Sequence, residues 1–215
     1  MERLNKIKGA IFDLDGTLLD SMDIWESIDE KFFKSRRLEM PPDYMDVINP
    51  MGFAEAAEYT IKRFGFKDTP QQLQQEWHKM SVDAYAHDIK LKLFAKEYLY
   101  KLKNCGVKLG VATALNKELY VPVLKNNGIY DVFDAFTSLD EVSRGKGYPD
   151  IYLLTAQKLK ISPCECAVFE DIFLGIKGAN DGGFLSVAVY DKHSDFEADK
   201  IKAAADLYVS SFETL

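Results

Sequence analysis

The chain of 215 residues is 47% hydrophobic and 28% charged, and its formal net charge at pH 7 is −7. These values are typical of a soluble globular protein with one good core and room for an inserted second unit. The acidic balance argues against nucleic-acid binding, and no apolar run reaches the roughly 18–20 residues that span a bilayer. A small anionic partner stays open, because a metal ion or two lysines can reverse the charge locally.

Apolar runs along the chain predict the strands of a buried parallel sheet. In chain order these runs are 8–14, 106–113, 135–138, 166–171, 184–190 and a weaker one at 206–211. Helical patterns alternate with them at 94–104, 116–127, 149–160 and 173–181. Such alternation predicts an α/β fold with a Rossmann-like, doubly wound parallel sheet.

One long segment, residues 20–90, interrupts the alternation of strands and helices. It has no convincing strand, and its amphipathic helical patterns lie near 21–36, 53–64 and 70–88. We therefore expect an all-helical cap domain inserted after the first strand, where it could act as a lid. The predicted domains are a core of residues 1–17 and 92–215 and an inserted cap of residues 18–91.

Polar side chains follow several of the predicted strands, at the end where open α/β sheets bind ligands. In chain order they are Asp13, Asp15, Thr113, Lys146, Glu170 and Asp171. Each alone has a simpler structural role, as a turn former, a helix cap or a surface lysine. Independent structural roles would have to place all of these groups at one end of the sheet by accident. The sequence therefore predicts a single site.

Motifs that contain these residues resemble the haloacid dehalogenase superfamily of phosphotransferases. The resemblance is to the branch with a helical cap after the first strand, which includes β-phosphoglucomutase and many small phosphatases. The motifs are FDLDGT (12–17), ATALN (112–116), GKGYPD (145–150) and VFEDIFLGIKGANDGG (168–183). The first and last are highly specific, and together the motifs cover almost the whole chain.

The resemblance implies phosphoryl transfer through a covalent intermediate. Asp13 would be the nucleophile that forms an aspartyl phosphate, and Asp15 the general acid and then the base that activates water. Thr113 and Lys146 would neutralise the phosphoryl oxygens, with Lys146 also orienting Asp13. The backbone N–H of Ala114 would be a further donor to the phosphoryl group.

The resemblance also implies Mg²⁺ as the cofactor. The ion prefers near-octahedral oxygen ligands. Asp13, the backbone carbonyl of Asp15 and Asp171 would supply them, with Glu170 bound directly or through water. A bound cation would explain why the chain crowds carboxylates directly after a buried strand.

The motifs favour a phosphatase over two alternatives. Thr17, in the triplet DGT, is commonest among the phosphatases of the superfamily. A β-phosphoglucomutase-like mutase needs a basic group for a second phosphate, and the loop INPMGFAEA (48–56) has neither Arg nor Lys. Lys62 or Arg63 could still provide that group. A non-catalytic binding or regulatory protein on the same fold is disfavoured by the intact motif residues.

The expected substrate is a small phosphorylated metabolite, such as a sugar or polyol phosphate. Candidate substrate contacts are Ala114, Asn116, Trp25, Asn49, Met51 and Phe53. The cysteines are sparse and odd in number, and the first apolar run is too short for a signal peptide. We therefore expect reduced thiols in a cytoplasmic protein that is a monomer or a weak dimer.

Overall fold

The computed structural model describes residues 3–48, 51 and 53–215. The chain divides into two compact units. An α/β unit comprises Met1–Met22 and Ile89–Leu215, and a helical unit comprises Asp23–Asp88. The helical unit is thus an insertion into the sequence of the α/β unit.

The strands all belong to the α/β unit, within the part of the chain that the structure describes. They are β1 (Gly9–Phe12), β2 (Leu19–Asp20), β3 (Lys90–Leu91), β4 (Lys108–Thr113), β5 (Ala135–Ser138), β6 (Cys166–Glu170), β7 (Leu185–Val189) and β8 (Leu207–Val209). The helices of the helical unit are α1 (Ile24–Ser35), α2 (Tyr44–Ile48), α3 (Phe53–Phe64) and α4 (Pro70–His87). Those of the α/β unit are α5 (Ala95–Asn104), α6 (Lys117–Asn126), α7 (Asp150–Leu159), α8 (Phe173–Asp181) and α9 (Ala198–Ala204).

The main sheet has six parallel strands in the order β5-β4-β1-β6-β7-β8. The chain fills the sheet outward from β1 to β5 and then returns to the other side of β1 with β6. This order confirms the predicted doubly wound fold. The topological switch lies beside β1, and ligands bind such sheets at the carboxyl ends of the strands next to the switch.

Helices cover both faces of the sheet, which explains why its central strands are apolar along their whole length. On one face, Ile11 and Val168 belong to the same buried cluster as Ile151 of α7. On the other, the rings of Phe12 and Phe169 stack with centroids 4.4 Å apart. The core therefore fixes β1 and β6 side by side.

A small antiparallel ribbon pairs β2 with β3, in the register Leu19↔Leu91 and Asp20↔Lys90. The expectation that residues 20–90 hold no strand is therefore wrong at its two ends. Two-residue strands have too few positions to show an alternating pattern, so the sequence carries no signal for them. The short helices α2 and α9 were missed for a similar reason, since each spans two turns or fewer.

An aromatic core holds the helical unit together. Phe33 of α1 packs edge-to-face on Tyr44 of α2 and on Phe64 of α3, with ring centroids 4.8 Å apart in both pairs. Arg36, just after α1, donates two hydrogen bonds to the carboxylate of Glu76 in α4, at 2.8 and 2.6 Å. The unit thus has its own packed core.

Across the described residues, no helix has the length and apolar character to cross a membrane.

Candidate active site

The first feature of the site is the adjacency of the ends of β1 and β6. Phe12 is paired with Phe169, and the backbone N–H of Asp13 donates to the carbonyl of Phe169 at 3.0 Å. This register brings Asp13 next to Glu170 and Asp171. Carboxylate oxygens of the three residues all lie within 4.8 Å of one another, and all three residues are buried.

Lys146 provides the positive charge that faces this cluster. Its ammonium forms ion pairs with Oδ1 of Asp13 and, at 2.7 Å, with Oε1 of Glu170, and its side chain is only 10% exposed. Burial alone would lower the pKa of Lys146, but the charges of Asp13 and Glu170 raise it above its usual value. The lysine is therefore a permanent cation in contact with Asp13.

Two glycines allow the chain to approach these carboxylates closely. Gly16 has a φ of +76°, and a Cβ at this position would collide with the carboxylate of Asp171. A Cβ on Gly175, in α8, would collide with the carboxylate of Glu170. Gly16 of FDLDGT and Gly175 of FLGIKG are therefore required for steric reasons, because a side chain at either position would displace a carboxylate.

Three hydroxyl groups orient the carboxylates. Tyr152, fully buried on α7, donates to Oε1 of Glu170 at 2.8 Å. Thr17 donates to Oδ1 of Asp171 at 3.1 Å, and Ser194 donates to Oδ2 at 3.4 Å. The sequence reasoning missed Tyr152 and Ser194. Tyr152 lies three positions after Pro149 of the GKGYPD motif, but only the packing of α7 on the sheet shows where its hydroxyl reaches.

The cluster has the properties expected of a divalent-cation site. Burial raises the pKa of Glu170 to about 7, with Lys146 opposing the shift and Asp13 adding to it. Burial, Asp13 and Glu170 raise the pKa of Asp171 as well. Oε2 of Glu170 is buried and has no hydrogen-bond partner among the described residues. Three carboxylates against one lysine leave an excess of negative charge, and oxygen-only donors suit Mg²⁺. The residues present fit that ion.

The remaining predicted residues of the α/β unit lie at the carboxyl ends of β1 and β4. Asp15 is half-buried, and Ser21 donates to its Oδ1 at 2.6 Å. Thr113 is buried and accepts the backbone N–H of Leu115 at 3.0 Å. Ala114 is exposed and lines an open pocket of about 600 Å³ that Lys146 also lines.

Asn116 has a structural role that the sequence reasoning did not weigh. Its Oδ1 accepts the backbone N–H of Leu119 at 3.2 Å, so it caps the first turn of α6. The helix then continues through Pro122. A substrate contact by Asn116 would have to share the side chain with this cap.

The predicted substrate contacts in the helical unit have different outcomes. Trp25 and Met51 line one cavity in this unit. Phe53 is the first residue of α3, and only its backbone is described. Asn49 lies outside the described residues.

Comparisons with known proteins agree on one family. Residues 10–189 match the model of the haloacid dehalogenase-like hydrolases. YhcW of Bacillus subtilis strain 168, which carries a provisional phosphatase name, is 29% identical over 86% of this chain and 84% of its own length. Hexitol phosphatase B of Escherichia coli K12 is 25% identical, with 100% and 97% of the two chains covered.

A solved structure gives the same result for the fold. A Thermotoga maritima protein provisionally named β-phosphoglucomutase superposes with a TM-score of 0.87, at 24% identity, over 96% of both chains. The family match itself extends over most of the chain and includes Asp13, Lys146, Glu170 and Asp171. The chain therefore belongs to the haloacid dehalogenase-like hydrolases.

Proposed function

We propose that this hydrolase is a Mg²⁺-dependent phosphatase that cleaves a small phosphorylated metabolite through an aspartyl-phosphate intermediate. The observation that carries the proposal is the buried Asp13–Lys146 ion pair beside Glu170 and Asp171. A carboxylate held by a permanent cation at the end of a central strand suits attack on phosphorus. The phosphatase names of YhcW and hexitol phosphatase B give further support.

In the first step, Asp13 attacks the phosphorus atom. Lys146 holds Oδ1 of Asp13, which leaves Oδ2 to form the new O–P bond as the bond from phosphorus to the leaving oxygen breaks. Lys146 also offsets the negative charge that builds on the phosphoryl oxygens. The hydroxyl of Thr113 and the backbone N–H of Ala114 are the further donors that we assign to those oxygens.

Asp15 moves the protons in both steps. It gives a proton to the leaving alkoxide and then takes one from the water that attacks the aspartyl phosphate. The hydrogen bond from Ser21 occupies Oδ1 of Asp15. Water attack releases inorganic phosphate and restores the carboxylate of Asp13.

Asp13, Glu170 and Asp171, with the backbone carbonyl of Asp15, would hold Mg²⁺. When bound, the ion would supply positive charge that offsets the negative charge of the carboxylates and of the phosphoryl group. The hydrogen bonds from Tyr152, Thr17 and Ser194 would keep the side-chain ligands oriented toward it.

A phosphomutase is less well supported than a phosphatase. A mutase must bind a second phosphate, and Arg63 was one of two basic candidates for that role. Arg63 instead donates to Asp43 at 2.8 Å and to the hydroxyl of Tyr59 at 2.9 Å. The described residues that line the cavity of the helical unit include neither Lys nor Arg. The name of hexitol phosphatase B supports a sugar or polyol phosphate as the class of substrate.

The test is phosphate release from a panel of sugar, polyol and nucleoside monophosphates, with and without Mg²⁺. We expect release to require Mg²⁺ and to fall at least about 10³-fold in Asp13→Asn. Asp131→Asn, at an exposed position, is the matched control and should retain full activity. Phosphate release that occurs only when a sugar bisphosphate is added would support the mutase instead. If no phosphate is released with or without the bisphosphate, the result would contradict phosphoryl transfer altogether.

A further inference from the structure

The helical unit contains a cavity of about 260 Å³ that has an unusual lining. Its lining includes two tryptophans, Trp25 and Trp77, and two methionines, Met45 and Met51. Asp29 of α1 is the one charged side chain among the described residues that line it. The cavity is therefore apolar and aromatic, with a single carboxylate.

Asp29 has no counter-ion among the residues that the structure describes. The residue is only 6% exposed, and it makes no hydrogen bond or ion pair with any described residue. The nearby Tyr44 does not satisfy it: Thr60 gives its hydroxyl proton to the carbonyl of Ala56, so Tyr44 donates to Thr60 at 2.7 Å. Burial raises the pKa of Asp29 to about 7. A buried carboxylate without a partner is costly and calls for an explanation.

The lining discriminates among classes of ligand. Among the described lining residues, an anion would meet a carboxylate and no positive charge. A polyol would bury several hydroxyl groups against the one carboxylate of the described lining, which leaves most of them without a strong acceptor. An organic ammonium group matches Asp29 with charge and N–H donors, while aromatic faces and methionine sulfur accommodate the rest of a cation.

We propose that this cavity binds a small organic ammonium ion, with Asp29 as its counter-ion and with Trp25 and Trp77 against its apolar part. Binding of this kind is independent of the hydrolytic reaction in the α/β unit, and it can be measured without turnover. The ammonium group can belong either to the phosphorylated substrate or to a separate ligand.

The tryptophans make the test direct, because the chain has only two and both line the cavity. Titration of the full chain with benzylammonium and with benzyl alcohol compares probes of the same shape that differ in charge. We expect a saturable change in tryptophan fluorescence and an affinity for benzylammonium at least about tenfold higher than for the alcohol. Equal affinities, or no saturable binding of benzylammonium or cyclohexylammonium, would overturn the proposal.

Variants distinguish binding in the cavity from general attraction of the cation to the negatively charged protein. Asp29→Asn should weaken benzylammonium binding at least about tenfold, whereas Glu30→Gln, which removes an exposed carboxylate from the same helix, should leave it unchanged. Ala56→Leu fills the cavity while keeping Asp29 and should abolish binding, which provides an answer if Asp29→Asn folds poorly. Unchanged binding in Asp29→Asn and Ala56→Leu would contradict the assignment.

Hydrolysis measurements then identify the source of the ammonium group. Competitive inhibition by benzylammonium would assign the cavity to the substrate's own amine. An effect that additional substrate does not relieve, or binding without any effect on hydrolysis, would assign it to a separate ligand.

Discussion

At the scale of single residues, Lys146 is the group on which the electrostatics of the acidic cluster depend. Its ammonium contacts Asp13 and Glu170 in a setting almost closed to water. Charges in such a setting interact much more strongly than at the surface. Removing one partner from a buried ion pair also leaves the others uncompensated.

We therefore predict that Lys146→Met lowers kcat by about 10³-fold and destabilises the fold by roughly 3 kcal/mol. Steady-state kinetics and urea unfolding measure the two effects. Lys8→Met is the matched control, because Lys8 is exposed, pairs with Glu165 and precedes β1, at the end of that strand opposite Asp13. Near-normal kcat in Lys146→Met would remove this lysine from the proposed mechanism.

A second prediction at this scale concerns Tyr152, which we regard as a residue that positions Glu170. Tyr152→Phe deletes only the hydroxyl that donates to Oε1. We expect the Mg²⁺ concentration for half-maximal hydrolysis, and the Mg²⁺ dissociation constant by calorimetry, to rise about tenfold.

Tyr98→Phe is the control for Tyr152→Phe. Tyr98 is also buried in the α/β unit, where its ring packs on Phe12 and Phe169. Its phenol makes no hydrogen bond within the described part of the chain. A loss of stability without any change in Mg²⁺ affinity in Tyr152→Phe would reduce Tyr152 to a packing residue.

At the scale of elements, α8 determines where the loop of Lys146 lies. Gly178 of α8 packs directly on this loop, and a Cβ there would collide with the backbone carbonyl of Lys146 and lie 2.8 Å from that of Tyr148. Backbone atoms cannot rotate away as a flexible side chain can. Close packing therefore couples the position of the motif GKGYPD (145–150) to that of the motif VFEDIFLGIKGANDGG (168–183).

Gly178→Ala is predicted to displace Lys146 and to destabilise the chain by about 2 kcal/mol. kcat should fall at least about tenfold, since a small misplacement of a charged group is costly in catalysis. Gly145→Ala, in the same loop but with open space around its Cβ, should behave like the wild type. The comparison is made by thermal unfolding and by steady-state kinetics, and equal behaviour of the two variants would refute the steric link.

The sequence predicted these elements well where they carry a repeating pattern. The helix predicted at 173–181 coincides with α8, and the strand at 135–138 coincides with β5. The structure brings Asp13, Lys146 and Asp171 to one place, as expected from the ends of parallel strands, while their chemical roles stay predictions. The ribbon of β2 and β3 gave no signal because two residues cannot show a period.

Side-chain partners were beyond the reach of sequence reasoning. The bond from Tyr152 to Glu170 depends on how α7 packs on the sheet, and the cavity around Asp29 depends on how α1 packs on α2 and α4. In the sequence, nothing distinguishes Asp29 from the other polar residues of an amphipathic helix. Such contacts join residues that are far apart along the chain, so no local sequence pattern predicts them.

At the scale of the whole molecule, Asp29 links folding stability to pH. Burial raises its pKa from 3.8 to about 7. The folded chain therefore binds this proton more tightly than the unfolded chain does. The free energy of unfolding should fall as the pH rises from about 4 through 7, by up to roughly 4 kcal/mol from this group.

Asp29→Asn is predicted to remove this part of the pH dependence and to be more stable than the wild type above about pH 7. Urea unfolding between about pH 4 and pH 8 measures it, with Glu30→Gln as the exposed control on the same helix. Parallel stability curves for the wild type and Asp29→Asn would show that the carboxyl titrates normally.

The most direct test of the central proposal is to find the phosphoryl group on the enzyme. The chain is mixed with its best substrate and Mg²⁺, quenched in acid during turnover, digested and analysed by mass spectrometry. We predict one phosphoryl group on the peptide that contains Asp13, and none in Asp13→Asn, which should be inactive. A phosphoryl group on another residue, or turnover by Asp13→Asn at a rate near that of the wild type, would contradict Asp13 as the nucleophile.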